Sequence, residues 1–202
     1  MLVTSPTSRI GTPSPSSPGG SIDHPIDPVQ FALGSGATFS ARCVDIDQKA
    51  LPGILNAGQS HKGTAFVEIL QNCIVYNKDV WGDVAAKKTA ADTQVVCEHG
   101  QPLIYGKERD RGLRLNPQSL TLEAVTLGEG GVQESDVLVH DETNPMIAQL
   151  LCRMGDGLPT AMGVIHRREA PSFETAYRAR KTLERKTLVK DLLRRGNLLD
   201  RR

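Results

Sequence analysis

Residues 61–78 read HKGTAFVEILQNCIVYNK, and this stretch decides the fold class. Residues 64–70 are rich in β-branched and aromatic side chains and carry a single charge, Glu68. Short apolar runs of this kind are typical of buried strands in parallel sheets. We therefore predict a buried strand with Cys73 just past its carboxyl end, where open α/β sheets bind ligands. From spacing alone a purely structural thiol is the simpler interpretation of Cys73, because buried cysteines are common.

The segments before this strand complete a strand–helix–strand unit. Residues 37–46 place alternate apolar side chains on one face, which makes Cys43 a core residue. Residues 48–60 carry leucine and isoleucine at helical spacing, and a short helix is expected over residues 29–33 with Pro28 in its first turn. A βαβ unit of this kind is expected to be right-handed and to build a parallel sheet.

The second half of the chain has shorter elements. Strands are predicted at residues 95–98, 102–105, 120–127 and 160–165, helices at 84–91, 146–154 and 172–197, a charged turn at 106–116 and a further buried run at 136–140. The sequence His140-Asp141-Glu142 after that run has two interpretations. It is a metal or acid/base cluster, or, more simply, Asp141 or Thr143 caps the helix that follows.

The length and the charge of the chain limit its number of domains and its possible partners. The chain has 202 residues, enough for one domain or one domain with an extension, and a formal net charge of +1. Residues 178–202 hold ten Lys/Arg against three Asp/Glu, so a basic helical tail follows a mildly acidic body. Nucleic-acid binding is one interpretation of the tail. Without interleaved aromatic residues, a solvated or partner-docking helix is favoured, and we predict no nucleic-acid partner.

The apolar content of the chain, its N-terminus and its cysteines indicate the cellular compartment. No stretch approaches the roughly 20 apolar residues of a membrane span. The Ser/Pro-rich N-terminus lacks the apolar core of a secretory signal; it is either a disordered leader or a long loop over a cofactor. Four cysteines, at positions 43, 73, 97 and 152, form no CxxC pair. This predicts a cytoplasmic protein, with no membrane partner, that has reduced thiols or a metal cluster completed elsewhere.

Five blocks, in order along nearly the whole chain, resemble one known family. They are SPTSRIGTPSP with GSIDHPIDP, HKGTAFVEILQNCIVYN, HGQPLIYGKERDRGLRLN, DVLVHDETNP and AMGVIHRREAPSFETAY. The family is that of the beta subunits of 2-oxoacid:ferredoxin oxidoreductases, and the blocks are most similar to the 2-oxoglutarate-type enzymes. The resemblance implies an α/β fold with a mostly parallel sheet, which is a partial thiamine diphosphate-binding fold, followed by a small β-containing extension and a C-terminal helix.

The resemblance also divides the chain. Residues 1–22 correspond to a Ser/Pro/Gly-rich loop on the cofactor side, and residues 23–98 to the C-terminal half of the thiamine diphosphate-binding domain. Residues 99–170 correspond to the C-terminal extension of the beta subunit, and residues 171–202 to the basic helical tail.

Cofactors and partners follow from the same resemblance. Beta subunits of this family bind thiamine diphosphate, Mg²⁺ and a [4Fe–4S] cluster, and they work with an alpha/gamma-type subunit. The implied reaction is oxidative decarboxylation of a 2-oxoacid to acyl-coenzyme A, with electrons passing through the cluster to ferredoxin. Cys73 matches the last cluster cysteine of the family. The loop containing Ser5, Thr7 and Ser8 matches the segment near the diphosphate, and the other three cysteines match no cluster ligand.

The chain departs from the family pattern at its beginning. The CPGCG-type segment, a third cluster cysteine and the GDGD-type motif with its downstream Asn are not found. The sequence thus resembles the C-terminal part of such a subunit. One cysteine cannot hold a cluster that takes four. We expect the chain alone to bind neither cofactor tightly, to leave a sheet edge uncovered and to act only with the missing N-terminal half. The alternative is a non-catalytic assembly or regulatory protein derived from the beta subunit.

Overall fold

The structure is a computed structural model that describes residues 8–14, 17–75 and 79–186, with side chains described up to residue 181. The strands are β1 Phe39–Val44, β2 Ala65–Leu70, β3 Gln94–Cys97, β4 Ile104–Tyr105, β5 Arg111–Asn116, β6 Thr121–Thr126 and β7 Thr160–Arg167. The α-helices are α1 Pro28–Gly34, α2 Ala50–Ser60, α3 Gly82–Ala85, α4 Ala90–Thr93, α5 Pro145–Cys152 and α6 Phe173–Lys186. Two short 3₁₀ turns follow β6, at Glu129–Gly131 and Glu134–Asp136.

The strands form two sheets. The larger has the order β2-β1-β7-β3. In it β1 is parallel to β2, β3 is parallel to β7, and β7 is antiparallel to β1. The second sheet, β4-β5-β6, is antiparallel. The predicted fold class is confirmed: an α/β protein with a mixed, mostly parallel sheet, a separate small sheet and a C-terminal helix.

The predicted strand–helix–strand unit is β1-α2-β2. Phe39, Ala41 and Cys43 lie on one face of β1 and pack with Ile54 of α2, so Cys43, 3% exposed, is the core residue that the alternation predicts. The short helix before this unit is also confirmed. Asp27 caps α1, because its Oδ1 accepts the N–H of Gln30 at 2.7 Å, and proline occupies the first turn.

The expectation that β2 is a buried strand is wrong. It is an edge strand, and Ile69 is 43% exposed. The strand is apolar because both of its faces pack against other parts of the molecule. Phe66 packs against the largest core cluster, and Val67 packs against the smaller cluster around Phe39. A strand is buried only when its second edge is also covered, and its own sequence does not contain that information.

The largest core joins the two sheets. It contains residues of β3, β7, the small sheet, α1 and α5, and its fully buried members include Leu103, Leu113, Leu151 and Ile165. The predicted strand at residues 160–165 is β7. It lies between β1 and β3, although it follows them by more than sixty residues along the chain. The division into four segments inferred from the resemblance stays a prediction.

Three local expectations are corrected. Residues 106–116 are not all a charged turn, because β5 begins at Arg111 and buries Leu113. Its arginines instead pair with carboxylates, Arg111 with Asp92 and Arg114 with Glu123 on β6. Residues 136–140 form no strand beyond a single bridge between Val139 and Pro102. The helix expected at residues 84–91 is two separate turns, α3 and α4.

The start of α5 differs from both predicted caps. Oδ1 of Asn144 accepts the N–H of Met146 at 2.9 Å, with Pro145 at the first helical position. Asp141 instead accepts hydrogen bonds from the N–H and the hydroxyl of Thr143. The predicted helix at residues 172–197 is α6 up to Lys186, and its continuation lies outside the described residues. No described helix combines the length and the apolar character needed to cross a bilayer.

Candidate functional site

Cys73 lies at the edge of the sheet where β1 and β2 end. The last residue of β2, Leu70, is 2% exposed, and the Cys73 side chain, three positions later, is exposed. The loop is tied to a later segment, because Oδ1 of Asn72 accepts the backbone N–H of Trp81 at 3.0 Å. The thiol is therefore accessible at the carboxyl edge of a parallel strand pair, the position where open α/β sheets place ligands.

A buried arginine connects the two strands that end there. Arg42 of β1 is 6% exposed. Its Nε donates to Oε2 of Glu68 on β2 at 2.6 Å, and its Nη2 donates to Oδ2 of Asp27 at 2.9 Å. Arg42 and Glu68 are direct cross-strand partners in the parallel register. Since Asp27 also caps α1, one guanidinium fixes the start of α1 to both strands.

The electrostatics of this group favour the charged forms. Burial by itself lowers the pKa of Arg42, but the carboxylates of Glu68 and Asp27 together raise that pKa above its ordinary value. A buried charge is tolerated only when it is paired and hydrogen-bonded in this way. The network is thus a charged connection between β1, β2 and the start of α1, and Glu68 lies two positions before β2 ends at Leu70.

A cavity of about 440 Å³ opens beside this network. Asp27, Arg42 and Glu68 form one part of its wall. The remaining lining comes from the leader, α1, the segment after β2, α5 and the loop before β7: Arg9, Pro25, Ile26, Pro28, Leu70, Trp81, Val84, Leu151, Cys152 and residues 154–161. The leader therefore reaches the same edge of the sheet as the end of β2.

The leader residues expected to face a diphosphate are only partly described. Ser5 and Thr7 lie outside the described residues, and Ser8 is half-buried. Next to it, Arg9 lines the cavity. The leader also folds back on itself, because Gly11 donates its N–H to the carbonyl of Ser21 at 2.7 Å. The contacts of Ser5, Thr7 and Ser8 with a cofactor stay a prediction, as does the ligand role of Cys73.

The other three cysteines are in different surroundings. Burial raises the pKa of Cys97 to about 12, and it is the largest of the causes that raise the pKa of Cys152 to about 12. Burial, followed by the charge of Asp47, raises the pKa of Cys43. Metal ligation and nucleophilic attack need the thiolate. These three thiols are therefore protonated at neutral pH.

The sequence His140-Asp141-Glu142 forms a structural junction. His140 is fully buried, its Nε2 lies 2.9 Å from the carbonyl oxygen of Val164, and its Nδ1 has no hydrogen-bond partner among the described residues. Burial lowers the pKa of His140. The carbonyl oxygen of Glu142 lies 2.9 Å from Nδ1 of the buried His166. These contacts join the segment to β7.

The donor atoms of the described residues do not complete the metal sites that the resemblance implies. A [4Fe–4S] cluster takes four thiolates, and among the four cysteines only Cys73 is exposed. The carboxylates of Asp27 and Glu68, which could otherwise face a metal ion, are bound by Arg42. Within residues 8–14, 17–75 and 79–186, no three His, Cys, Asp or Glu side chains are grouped to hold a metal ion.

Sequence reasoning missed the Arg42 network, although a signal was present. Arg42 and Glu68 are isolated charges of opposite sign within two apolar strands that are predicted to be neighbours. Such charges must find each other when the strands are buried. The role of Asp27 could not be found in this way, because the same residue is already explained as a helix cap.

Comparison with known proteins gives consistent relatives. The chain is 33% identical over 179 residues to the 2-oxoglutarate oxidoreductase subunit KorB of Mycobacterium tuberculosis, a match that covers 87% of this chain and 47% of that protein. It is 40% identical over 73 residues to the 2-oxoacid:ferredoxin oxidoreductase subunit beta of Saccharolobus solfataricus, covering 36% of this chain and 24% of that one. No family model matches the chain.

A solved structure shares the fold. It is a 2-oxoglutarate:ferredoxin oxidoreductase from Magnetococcus marinus with 2-oxoglutarate, coenzyme A and succinyl-CoA bound. The TM-score is 0.59 at 19% identity, and the superposition covers 96% of this chain and 52% of the other. The chain thus spans about half the length of the M. tuberculosis relative and of this structural neighbour.

Proposed function

This chain is related to the beta subunits of 2-oxoacid:ferredoxin oxidoreductases, and we propose that it acts as one component of such an enzyme, with 2-oxoglutarate as the substrate. The observation that carries the proposal is the match to a 2-oxoglutarate oxidoreductase subunit through 87% of the chain. A second relative, from Methanocaldococcus jannaschii, is a 2-oxoglutarate synthase subunit and is 33% identical over 72 residues. The exposed thiol at the carboxyl edge of β2 is in keeping with this function.

The proposed reaction is oxidative decarboxylation of the 2-oxoacid, with transfer of the acyl group to coenzyme A and of the electrons to ferredoxin. Thiamine diphosphate, held with Mg²⁺, supplies the electron sink that decarboxylation needs. The contribution of this chain is positional. Cys73 provides one thiolate to a [4Fe–4S] cluster, and Ser5, Thr7 and Ser8 present hydroxyls and backbone amides toward the diphosphate.

The Arg42 network supports this positional role. It fixes β2, whose end carries Cys73, to the start of α1, where the leader ends. Arg9 of the leader and Leu70 of β2 line one cavity. A residue that anchors both segments keeps the thiol and the leader at one edge, so Arg42 is a positioning residue in this proposal.

The remaining cluster ligands and motifs correspond to the part of the relatives that lies outside the match to this chain. The partners we propose are a polypeptide corresponding to the other half of the relatives and an alpha/gamma-type subunit, with ferredoxin as the electron acceptor. Two observations support this arrangement: the chain spans about half of its relatives, and the described residues present one exposed cysteine. We place the assembled enzyme in the cytoplasm, where the sequence expectation of reduced thiols is met.

Co-expression of the chain with both partners tests the proposal. The assembled complex should reduce a one-electron dye only when 2-oxoglutarate and coenzyme A are both present. Cys73→Ala should lower the bound iron and abolish dye reduction, because a cluster lacking one of its four thiolates is not retained stably. Cys43→Ala is the matched control, since that thiol is buried and should leave iron content and activity unchanged. The chain purified alone should contain less than stoichiometric iron and thiamine.

Two results would contradict the proposal. One is full iron content and activity in the complex with Cys73→Ala. The other is a stable complex, containing both partners and cofactors, that shows no 2-oxoglutarate-dependent dye reduction. The second result would favour an assembly or regulatory protein derived from the beta subunit.

A further inference from the structure

The segment that carries Cys73 leaves the body of the protein and returns to it at one small apolar cluster. Leu70, the last residue of β2, belongs to this cluster, whose other buried members are Val44, Ala85 and Met162. Trp81, which follows Leu70 by eleven positions, packs against the same cluster. The two ends of the segment are therefore neighbours in space.

A side-chain hydrogen bond connects the two ends a second time. Oδ1 of Asn72 accepts the backbone N–H of Trp81 at 3.0 Å. Trp81 is the N-cap residue of α3, and its carbonyl oxygen accepts the N–H groups of Val84 and Ala85. Trp81 is thus held by its side chain and by its carbonyl group, which makes it a firm attachment point for Asn72. We call this hydrogen bond the Asn72–Trp81 clasp.

The exposure of neighbouring residues shows how the clasp affects the thiol. Gln71 and Cys73 are exposed, whereas Asn72 between them is half-buried. This alternation is that of an extended chain, in which adjacent side chains point to opposite sides. Because Asn72 is directed inward to Trp81, Cys73 is directed toward solvent.

A role in capping α3 is the simpler interpretation of the same bond. The first amides of a helix lack partners within the helix, and Asn72 supplies a partner to one of them. Trp81 is only half-buried, however, so water can also serve its N–H group. Water does not connect two segments of the chain, and the clasp does. The particular contribution of Asn72 is therefore to hold the segment around Cys73 in place.

We propose that Asn72 is a positioning residue for the sulfur of Cys73 and that it acts through the Asn72–Trp81 clasp. A metal ligand binds well only when hydrogen bonds and packing around it hold it in the productive geometry. Asn72 provides such support from the adjacent position. This inference rests on the proposed function, in which Cys73 supplies one thiolate to a cluster.

Amide hydrogen exchange of the full chain tests the clasp itself. In Asn72→Ala the amide of Trp81 should exchange roughly fivefold to tenfold faster than in the unsubstituted chain, because one hydrogen bond of ordinary strength is lost. Asn72→Asp retains an oxygen at the same position and should restore slow exchange. Asn72→Gln retains the polarity but displaces the oxygen by one methylene group, so it is a second disrupting variant and should behave like Asn72→Ala.

Asn144→Ala is the matched control. Oδ1 of Asn144 also accepts one backbone N–H, that of Met146 at 2.9 Å, and Asn144 is half-buried like Asn72. The control removes a comparable hydrogen bond at the start of α5. It should leave the exchange rate of the Trp81 amide unchanged.

Iron release from the co-expressed complex tests the positioning role. With a chelator in excess, the complex containing Asn72→Ala should release iron roughly tenfold faster than the unsubstituted complex, since one thiolate is held less firmly. The EPR spectrum of the reduced cluster should broaden, because the sulfur of Cys73 then occupies several positions. The complexes containing Asn72→Asp and Asn144→Ala should release iron at about the rate of the unsubstituted complex and show its spectrum.

Each outcome supports or overturns the inference. An unchanged Trp81 exchange rate in both Asn72→Ala and Asn72→Gln overturns it, and so does an unchanged rate of iron release. Equal acceleration of iron release by Asn144→Ala also overturns it, because the effect is then a general loss of stability.

The proposed function is judged separately, by dye reduction in the unsubstituted complex. A complex whose iron release depends on Asn72 but that shows no 2-oxoglutarate-dependent dye reduction contradicts the proposed function and supports the positioning role. A complex that binds no iron contradicts both.

Discussion

The β3–β7 half and the β1–β2 half of the central sheet are stabilised by different interactions. The β3–β7 half belongs to one large hydrocarbon core shared with the small sheet and α5. The β1–β2 half has a smaller cluster around Phe39 and Ile54, and its second face carries the buried Arg42–Glu68 pair. The candidate site lies in the half that contains the buried charges and in which β2 is an edge strand. A third small cluster, Val44, Leu70, Ala85 and Met162, packs where β1 and β2 end, so directed bonds and small apolar clusters hold the site together.

The largest effect is expected from removing the charge that joins the β1–β2 half. Arg42→Met should lower the free energy of unfolding by roughly 3–5 kcal/mol, because the Glu68 carboxylate is left buried without its partner. Urea unfolding at neutral pH measures this loss. The double variant Arg42→Met with Glu68→Leu should recover much of it. A loss below about 1 kcal/mol for the single variant would show that the pair does not hold this half of the sheet.

A somewhat smaller loss is expected in the hydrocarbon half. Leu103→Ala should lower the free energy of unfolding by about 3 kcal/mol, since Leu103 is fully buried and its removal leaves a cavity among packed neighbours. Ile54→Ala in the smaller cluster is the comparison, and it should cost less. Equal losses at the two positions would contradict the difference between the two cores.

The buried histidines that join residues 140–142 to β7 should make stability depend on pH. Burial lowers the pKa of both His140 and His166, opposed by the carbonyl of Val164 for His140 and by that of Glu142 for His166. Because their folded pKa values lie below the ordinary 6.5, the unfolded chain binds protons first as pH falls. Their contribution to stability is therefore complete above pH 6.5 and is lost as the pH falls from there through the folded pKa values.

Urea unfolding between pH 8 and pH 5 measures this dependence. His140→Asn should be less stable than the unsubstituted chain at pH 8 and should show a flatter fall toward pH 5. The charges that face His140 are those of His99, Asp141 and Glu142, and the two carboxylates oppose the effect of burial. An unchanged slope in the variant would assign the dependence to other groups.

The smallest effect is expected in the turn between β5 and β6. Leu120 has a φ of 55° and is 66% exposed, so it adopts a left-handed conformation that a branched side chain disfavours. Leu120→Gly should raise the free energy of unfolding by about 0.5–1 kcal/mol in thermal or urea unfolding. Ser119→Gly, at a neighbouring turn position without a positive φ, should give no such gain.

Local patterns in the sequence predicted most of the elements correctly. The Asp27-Pro28 start of α1, the alternation that buries Cys43 and the helical spacing of α2 all depend on neighbours within a few residues, and all are confirmed. The cap of α5 was predicted one to three residues early, because several side chains in DETNP are capable caps and only the backbone path selects Asn144. Where competing local signals lie side by side, the sequence alone does not choose between them.

The candidate site could be predicted only in part. Cys73 was placed at the end of its strand because the run of β-branched residues ends three positions before it. The cavity that Leu70 lines brings together Arg9, Arg42 and the loop before β7, which are far apart along the chain. No periodicity or spacing connects such positions.

The sequence by itself determined the resemblance to a known family, the α/β class and most of the local elements, since these depend on short-range patterns and on motifs in a fixed order. The tertiary structure alone decided that β7 enters the sheet between β1 and β3, that β2 lies at the edge and that Arg42 binds two carboxylates from different elements. The physical reason is that burial and pairing are properties of what lies across from a residue. A strand's sequence specifies its two faces, whereas its neighbours in the sheet are selected by the packing of the whole chain.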